Sequence, residues 1–84
     1  MKYTVVTTTI ADYQLAAIWL YASNRQQVAD AFDRLEASLK LDAHLQGRHH
    51  PDGWRVTAHS PIVITFRVSE PDRLATILSV HYRP

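Results

Sequence analysis

The sequence predicts a single α+β domain, with a helix hairpin packed on one face of a mainly antiparallel four-stranded sheet. Three observations indicate this fold. A β-branched segment opens the chain, two segments with helical apolar spacing follow it, and residues 54–83 contain three strand-like segments. A chain of 84 residues is long enough for one modest core, so residues 1–84 are predicted to form one domain.

The composition is that of a globular protein, with 46% hydrophobic and 20% charged residues. The chain has no cysteine, which excludes disulfides and thiolate metal sites. No apolar run approaches the roughly 18 residues that span a bilayer, and the N-terminus lacks the pattern of a secretion signal. We therefore expect a cytoplasmic protein without membrane contact, cofactor or metal.

The first half of the chain carries a strand and two helices. Lys2 to Thr9 is rich in Thr and Val and predicts the first strand, after which Thr9 or Asp12 is a candidate helix cap. The first helix has apolar residues at three- and four-residue spacing: Leu15, Ile18, Trp19 and Ala22. A second helix is predicted from Arg25 to Ala43, with a core stripe formed by Val28, Phe32, Leu35 and Leu39. The short link between them predicts a helix hairpin.

The second half of the chain is predicted to form three strands. Gln46 to Gly53 contains two glycines and a proline and is predicted to be a loop. Turns are predicted at Ser60-Pro61 and at Glu70–Arg73. They separate the strands Trp54–Ser60, Ile62–Ser69 and Leu74–Tyr82. The predicted order is therefore β-α-α-β-β-β.

The basic and imidazole side chains of these closing strands share one parity. They all have odd numbers, whereas the apolar residues of the best-formed strand, Ile62 to Val68, have even numbers. Side chains along a strand alternate between the two faces of the sheet. We therefore expect the helices to cover the even positions, Trp54 included, and the opposite face to present Arg55, His59, Arg67, His81 and Arg83.

Two phrases in the chain resemble a known family. The segment ADYQLAAIWLYA resembles the phrase A-D-L-x-x-I-x-x-Y, and the tail WRVTAHSPIVITFRV to RLATILSVHYR resembles three closing strands that end in I-L-x-V-x-H-x-R. Both are common among ParE-type members of the RelE/ParE superfamily, the toxins of bacterial type II toxin–antitoxin systems. The resemblance covers nearly the whole chain. It implies the RelE/ParE-like fold and a cognate antitoxin that forms a hetero-oligomer with the toxin and contacts it near Leu15, Ile18 and Trp19.

The resemblance is closer to the ParE branch than to the RelE branch. Ribosome-dependent RNases of the RelE type usually carry an arginine at the start of their third strand, where this chain has Val63. ParE-type members poison DNA gyrase by binding and need no cleavage chemistry. The resemblance therefore implies a gyrase-binding toxin. Its target would contact the expected cationic face: Arg55, His59, Arg67, His81 and Arg83.

Two alternatives remain open at this point. A ribosome-dependent mRNA endonuclease needs an acid, a base and cations around the scissile phosphate; the candidates for these roles are His81, Tyr82, Arg55 and Arg83. The other alternative is a non-toxic module that only binds an antitoxin. The remaining histidines suggest no metal site: His49 and His50 are expected in a solvated loop, and His44 is expected to interact with the C-terminal end of the second helix.

Overall fold

The structure, a computed structural model, describes residues 2–84, which contain two helices and five strands. Met1, the first residue of the predicted domain, lies outside the described residues. Strand β1 (Thr4–Thr7) leads into helix α1 (Thr9–Tyr21), and helix α2 (Arg25–Asp42) continues into a 3-10 turn at Ala43–Leu45. The remaining strands are β2 (Arg48–His49), β3 (Arg55–His59), β4 (Ile62–Ser69) and β5 (Leu74–Tyr82).

The strands form one mixed sheet in the order β1-β5-β4-β3-β2. β1 pairs with β5 in parallel, and every other described pair is antiparallel. The predicted α+β class is confirmed. The predicted number of strands is wrong, because the described residues contain five strands rather than four.

The additional strand is β2, which lies in the segment predicted to be a loop. Gly47 precedes it with φ of 69°, a conformation that side chains other than glycine rarely adopt. A Cβ at Gly47 would lie 2.1 Å from the carbonyl oxygen of Val56. The missing side chain therefore lets the chain come close enough to β3 to pair with it, in the register Arg48↔Val56.

One face of the sheet is buried under the helices. Ile62, Ile64 and Phe66 of β4 are fully buried, as are Ile77 of β5 and Leu39 of α2, and all five belong to one core cluster. We call this side of the sheet the helix face. The other side, which carries the odd-numbered residues of β4, is the open face.

Both helices begin at a side-chain cap. Asn24 accepts a hydrogen bond from the backbone N–H of Gln27 at 3.0 Å and caps α2. α1 is capped by Thr8, so the predicted caps at Thr9 and Asp12 are wrong. The Thr8 hydroxyl accepts from the N–H of Ala11 at 3.1 Å and donates to the carbonyl of Leu78 at 3.0 Å, which also ties the start of α1 to β5.

The predicted turns join the closing strands as expected. At Glu70–Arg73 the N–H of Arg73 donates to the carbonyl of Glu70 at 3.2 Å. The Ser60-Pro61 bond is cis, and Pro61 is buried. Within residues 2–84, no helix is both long enough and apolar enough to cross a membrane.

Candidate interaction surfaces

The predicted cationic face is divided between the two sides of the sheet. Arg55 pairs with Phe66 and His59 with Ile62, so both lie on the helix face. Directly paired residues of antiparallel strands point to the same side, and the turn at 60–61 pairs odd positions of β3 with even positions of β4. The prediction of one face is therefore wrong for Arg55 and His59.

Two of the five predicted residues do share the open face. His81 pairs with Val63, and Arg67 pairs with Thr76. Val63 and Arg67 are four residues apart on β4, which separates the two cationic positions by roughly 13 Å along the strand. Arg83 follows β5, and its N–H donates to the carbonyl of Pro61 at 2.7 Å, close to His81. The open face therefore carries Arg67 and His81 at separate positions, and Arg83 follows β5 at the end where His81 lies.

The four residues proposed for RNA cleavage do not converge. His81 lies on the open face, whereas Tyr82 pairs with Ile62 on the helix face. Arg55 pairs with Phe66, which is four residues from Ile62 and therefore roughly 13 Å away along β4. The Arg55 guanidinium is also engaged, because its Nε donates to the carbonyl of Gln46 at 2.7 Å. These four residues therefore do not bring an acid, a base and a phosphate-binding cation together at one site.

Trp54 lies on the open face beside a groove, so its predicted core position is wrong. Its ring stacks on that of His50, with centroids 3.8 Å apart and planes 9° apart. The groove has a volume of about 540 Å³ and is also lined by Val56 and Ala58 of β3. These even-numbered residues of β3 pair with odd-numbered residues of β4, Val56 with Thr65 and Ala58 with Val63, and therefore lie on the open face.

A second groove separates the two helices. Its volume is about 380 Å³, and it is lined by Leu15 and Trp19 of α1 and by Val28 and Phe32 of α2, with Asp12 and Asp33 at its rim. Leu15 and Trp19 were predicted to contact an antitoxin. Ile18, the third predicted residue, does not line the groove and packs against the core, which Leu15 also contacts. The helical spacing of Trp19 favours packing in the core, but the side chain is 42% exposed, so that expectation is wrong.

α1 also exposes apolar side chains that the predicted stripe did not include. They are 64–89% exposed and comprise Ile10, Tyr13, Leu20 and Tyr21. A sequence signal for them existed: apolar residues surround α1 on all sides, whereas a helix on a protein surface ordinarily has a polar side. Exposed apolar surface of this extent is typical of a binding interface.

A polar cluster joins three distant parts of the chain. The Tyr3 hydroxyl lies 2.6 Å from Oε1 of Glu70 and 2.7 Å from Nδ1 of His44, and it accepts from Arg73 at 3.1 Å. If the hydroxyl donates to the Glu70 carboxylate, His44 must donate from Nδ1, and every polar atom of the contact is satisfied. His44 therefore interacts with Tyr3. No sequence pattern identifies this cluster, because its members are far apart in the chain.

The cluster changes the titration of Tyr3. Burial raises the pKa of the Tyr3 phenol above its ordinary value, and the hydrogen bond and the negative charge of Glu70 raise it further. Arg73 lowers the pKa but does not cancel these effects. Tyr3 is 4% exposed and belongs to the core. A neutral, hydrogen-bonded tyrosine in such a place joins β1, the end of α2 and the β4–β5 turn.

Comparison with known proteins gives structural matches alone. No family model matches the sequence, and no curated protein matches it. A chain in the crystal structure of the toxin–antitoxin complex RelBE2 from Mycobacterium tuberculosis superposes with a TM-score of 0.82 at 19% sequence identity, covering 99% of this chain and 100% of that chain. A chain of the chromosomal ParDE toxin–antitoxin system from P. aeruginosa has a TM-score of 0.74 at 18% identity, covering 99% and 98%. The protein therefore has the RelE/ParE-like toxin fold that its sequence predicted.

Proposed function

We propose that this protein is the toxin of a bacterial type II toxin–antitoxin system, a ParE-like member that arrests growth by binding a cellular target, with DNA gyrase as the first candidate. One observation carries the proposal. In a fold shared with chains of two toxin–antitoxin complexes, α1 leaves a large apolar surface without cover from the rest of the described chain.

The antitoxin is proposed to cover α1 and the groove beside it. The groove floor is apolar, and its rim carries Asp12 and Asp33. An amphipathic helix laid in such a groove presents its apolar stripe to Leu15 and Trp19. Lys or Arg residues flanking that stripe would face the two carboxylates, and complementary charges of this kind favour the correct partner.

Inhibition by binding is supported by the open face. Its exposed basic side chains include Arg67 and His81, and the separated cleavage candidates favour binding over catalysis. We propose that Arg67, His81 and Arg83 contact the target. Arg55 and His59, on the helix face, are assigned no part in this contact.

The proposal is tested by inducing the chain in a bacterial host. Growth arrest with intact mRNA in primer extension, together with stabilised gyrase cleavage complexes in vitro, is the expected result. Codon-phased mRNA cuts would instead identify an endonuclease, and unimpaired growth would identify a non-toxic module. Either outcome contradicts the proposal.

Residue substitutions then test the target surface. Arg83→Ala and His81→Ala are each expected to relieve toxicity, because they remove a cation or imidazole from the same end of the open face. His59→Ala is the matched control, since this exposed imidazole lies on the helix face, and it should remain toxic. If both open-face variants stay fully toxic, the target surface lies elsewhere.

The antitoxin surface is tested by co-expression with the product of the neighbouring gene. Complex formation should raise the solubility and melting temperature of the chain. Trp19→Ala and Asp33→Lys are expected to reduce co-purification, since they remove the apolar wall of the groove and reverse a rim charge. Arg34→Ala, which changes an exposed neighbour of Asp33, is the control and should leave the complex intact.

A further inference from the structure

The hairpin formed by β2 and β3 places an aromatic pair on the open face. In its turn, Gly53 has φ of 92° and donates its N–H to the carbonyl of His50 at 2.9 Å. The N–H of His50 donates to the carbonyl of Trp54 at 2.8 Å, so these two residues lie opposite each other and their rings stack. Because side chains alternate along a strand, the aromatic pair lies on the same side as the paired residues Arg48 and Val56.

The floor of the groove beside this pair, the open-face groove, is apolar. Val56 and Ala58 of β3 line it, and they pair with Thr65 and Val63 of the open face. The groove volume of about 540 Å³ lies within the roughly 300–1,000 Å³ typical of pockets that hold a ligand. Ala58 is exposed. The floor is therefore accessible from solvent and favours an occupant that brings an apolar group.

Arg48 provides a positive charge at the wall of this groove. It lines the groove and is exposed. Within residues 2–84, its guanidinium takes part in no ion pair. Arg55, on the other face, differs because its Nε donates to the carbonyl of Gln46 at 2.7 Å. Arg48 can therefore bind an anion that a partner supplies.

No carboxylate of the described chain compensates this charge in the groove. β1 to β5 contain no Asp or Glu, and none lines the groove among residues 2–84. Glu70 lines a different pocket together with His49, which lies on the helix face. Asp52 belongs to the hairpin turn, where its Oδ2 is 3.5 Å from Nδ1 of His50. The groove therefore presents the charge of Arg48 beside an apolar floor, and a partner with the complementary pattern carries an acidic group beside an apolar one.

We propose that the open-face groove is a docking site for a protein segment that carries an apolar side chain next to an Asp or Glu. The apolar side chain packs on Val56 and Ala58, and the carboxylate binds Arg48. An arginine can bind a carboxylate through two parallel hydrogen bonds. Arg and Trp, both present at this groove, are the residues that most often dominate the energy of protein interfaces.

This inference rests on the proposed function, because the segment is assigned to the target that contacts the open face. Arg67, already proposed as a target contact, reaches the same hairpin: a Cβ on Gly53 would lie 3.3 Å from Nη1 of Arg67. Within residues 2–84, Arg67 also takes part in no ion pair. The target contact therefore extends from β4 and β5 across the sheet to Arg48 in β2.

A protein segment fits this groove better than a nucleic acid. Affinity for a nucleic acid grows with the number of phosphates that cations neutralise. Among residues 2–84, one arginine, Arg48, lines the groove, and the net charge of the whole chain is only +1. One face of Trp54 is covered by His50, which limits base stacking. The apolar floor in turn suits an apolar side chain better than the polar edge of a base.

Fluorescence titration provides the first test. Trp19→Phe leaves Trp54 as the sole tryptophan, beside the open-face groove. In this background an end-capped peptide in which leucine is flanked by aspartates should change the fluorescence saturably when titrated to millimolar concentration. The counterpart in which lysines replace the aspartates should bind at least about tenfold more weakly, a difference of about 1.4 kcal/mol. Equal affinity for the two peptides, or no binding of the aspartate peptide, would overturn the proposal.

Matched charge changes locate the site. In the same background, Arg48→Glu should weaken binding of the aspartate peptide by at least about tenfold. Arg34→Glu makes the same change at an exposed arginine of α2 and should leave the affinity unchanged. Ala58→Glu should also abolish binding, because it places a carboxylate on the groove floor. His59→Glu, at the next residue but on the helix face, should not. Equal losses within either pair would contradict the assignment.

Amide chemical shifts of the unchanged chain give an independent measurement, since a substitution can also disturb the hairpin. The aspartate peptide should shift the amide signals of Arg48, Val56 and Ala58 more than those of α1. Shifts confined to α1 would overturn the proposal. So would larger shifts at these three amides with a thymidine oligonucleotide than with the peptide.

Growth arrest connects the groove to the target. Arg48→Glu should relieve the arrest, whereas Arg34→Glu should remain toxic. Full toxicity of Arg48→Glu would overturn the assignment of the groove to the target contact. A lack of arrest by the unchanged chain would contradict the proposed function alone, because the peptide titration decides separately whether the groove binds its segment.

Discussion

The two helices differ in how fully this chain covers their apolar residues. α2 has one apolar stripe, and Val28, Ala31, Leu35 and Leu39 along it are all buried. In α1 the buried residue is Ala11, while Leu20 and Tyr21 are 64% and 89% exposed. Contacts within this chain therefore cover the apolar stripe of α2. The apolar side chains of α1 would be covered only by a partner.

The ends of the helices show the same contrast. The C-terminal part of α2 is tied to the core, because the N–H of Tyr3 donates to the carbonyl of Lys40 at 2.8 Å. At the C-terminal end of α1, the exposed Arg25 side chain donates from Nε to the carbonyl of Trp19 at 3.0 Å. An exposed side chain is a weaker attachment than a buried backbone bond. The end of α1 is therefore the part of the hairpin most easily rearranged by a partner.

The largest expected effect is on the buried side of α2. Leu39→Ala should lower the free energy of unfolding by about 2–5 kcal/mol, because it removes buried methyl groups and leaves a cavity. Urea denaturation followed by circular dichroism measures this loss. A loss below about 1 kcal/mol would show that α2 is less tightly packed than its burial indicates.

The caps of the two helices are expected to contribute unequally to stability. Asn24→Ala removes the cap of α2 and should cost about 1 kcal/mol. Thr8→Ala should cost more, about 1–3 kcal/mol, because the hydroxyl also bonds to the carbonyl of Leu78, which would be left without that donor. Equal costs in urea denaturation would mean that the tie between α1 and β5 contributes little.

The stability that Tyr3 contributes by holding the end of α2 is expected to fall at alkaline pH. Since the pKa of Tyr3 is raised in the folded state, its contribution to stability is complete below the unfolded pKa of about 10 and is lost as pH rises through the folded value. Tyr3→Phe should therefore be less stable than the wild type at neutral pH, with a loss smaller than that of Leu39→Ala. Its stability should also fall less steeply above about pH 10.

Thermal unfolding across this pH range measures the difference. Tyr13→Phe, which changes an exposed tyrosine on α1, is the control and should follow the wild-type profile. A Tyr3→Phe profile parallel to that of the wild type would show that the phenol does not carry the alkaline sensitivity.

The smallest effect on stability is expected on the exposed side of α1. Leu20→Ala should change the free energy of unfolding by no more than about 0.5 kcal/mol, because the side chain is mostly in solvent. The same change should weaken antitoxin binding measurably in co-purification. A large loss of stability together with unchanged binding would reverse the contrast between the two helices.

Several elements could be predicted because local sequence determines them. The bounds of β4 and β5 agree with the prediction, since alternating apolar residues between clear turns define a strand. α2 begins at Arg25 as predicted, with Asn24 capping it. β2 could not be predicted in this way. Two residues carry no periodic pattern, and the pairing depends on the close approach of Gly47 to β3.

The candidate site was harder to predict than the fold. Odd and even numbering assigns faces within one strand, but the pairing across a turn decides how the parity of one strand relates to that of the next. The register His59↔Ile62 places the odd residues of β3 with the even residues of β4. A shift between Thr65 and Phe66 alters the parity again between β4 and β5. Arg55 and Arg67 therefore lie on opposite faces although both numbers are odd.

Local sequence was enough to predict the order of the elements apart from β2, the apolar stripe of α2 and the excess of apolar residues in α1, because these depend on the spacing of neighbouring residues. Three features follow only from the folded chain: the cations that share a face, the contact of Tyr3 with Glu70 and His44, and the outer edge of β3 beyond its pairing with β2. Each of these depends on strand register or on contacts between distant segments, which local periodicity does not encode.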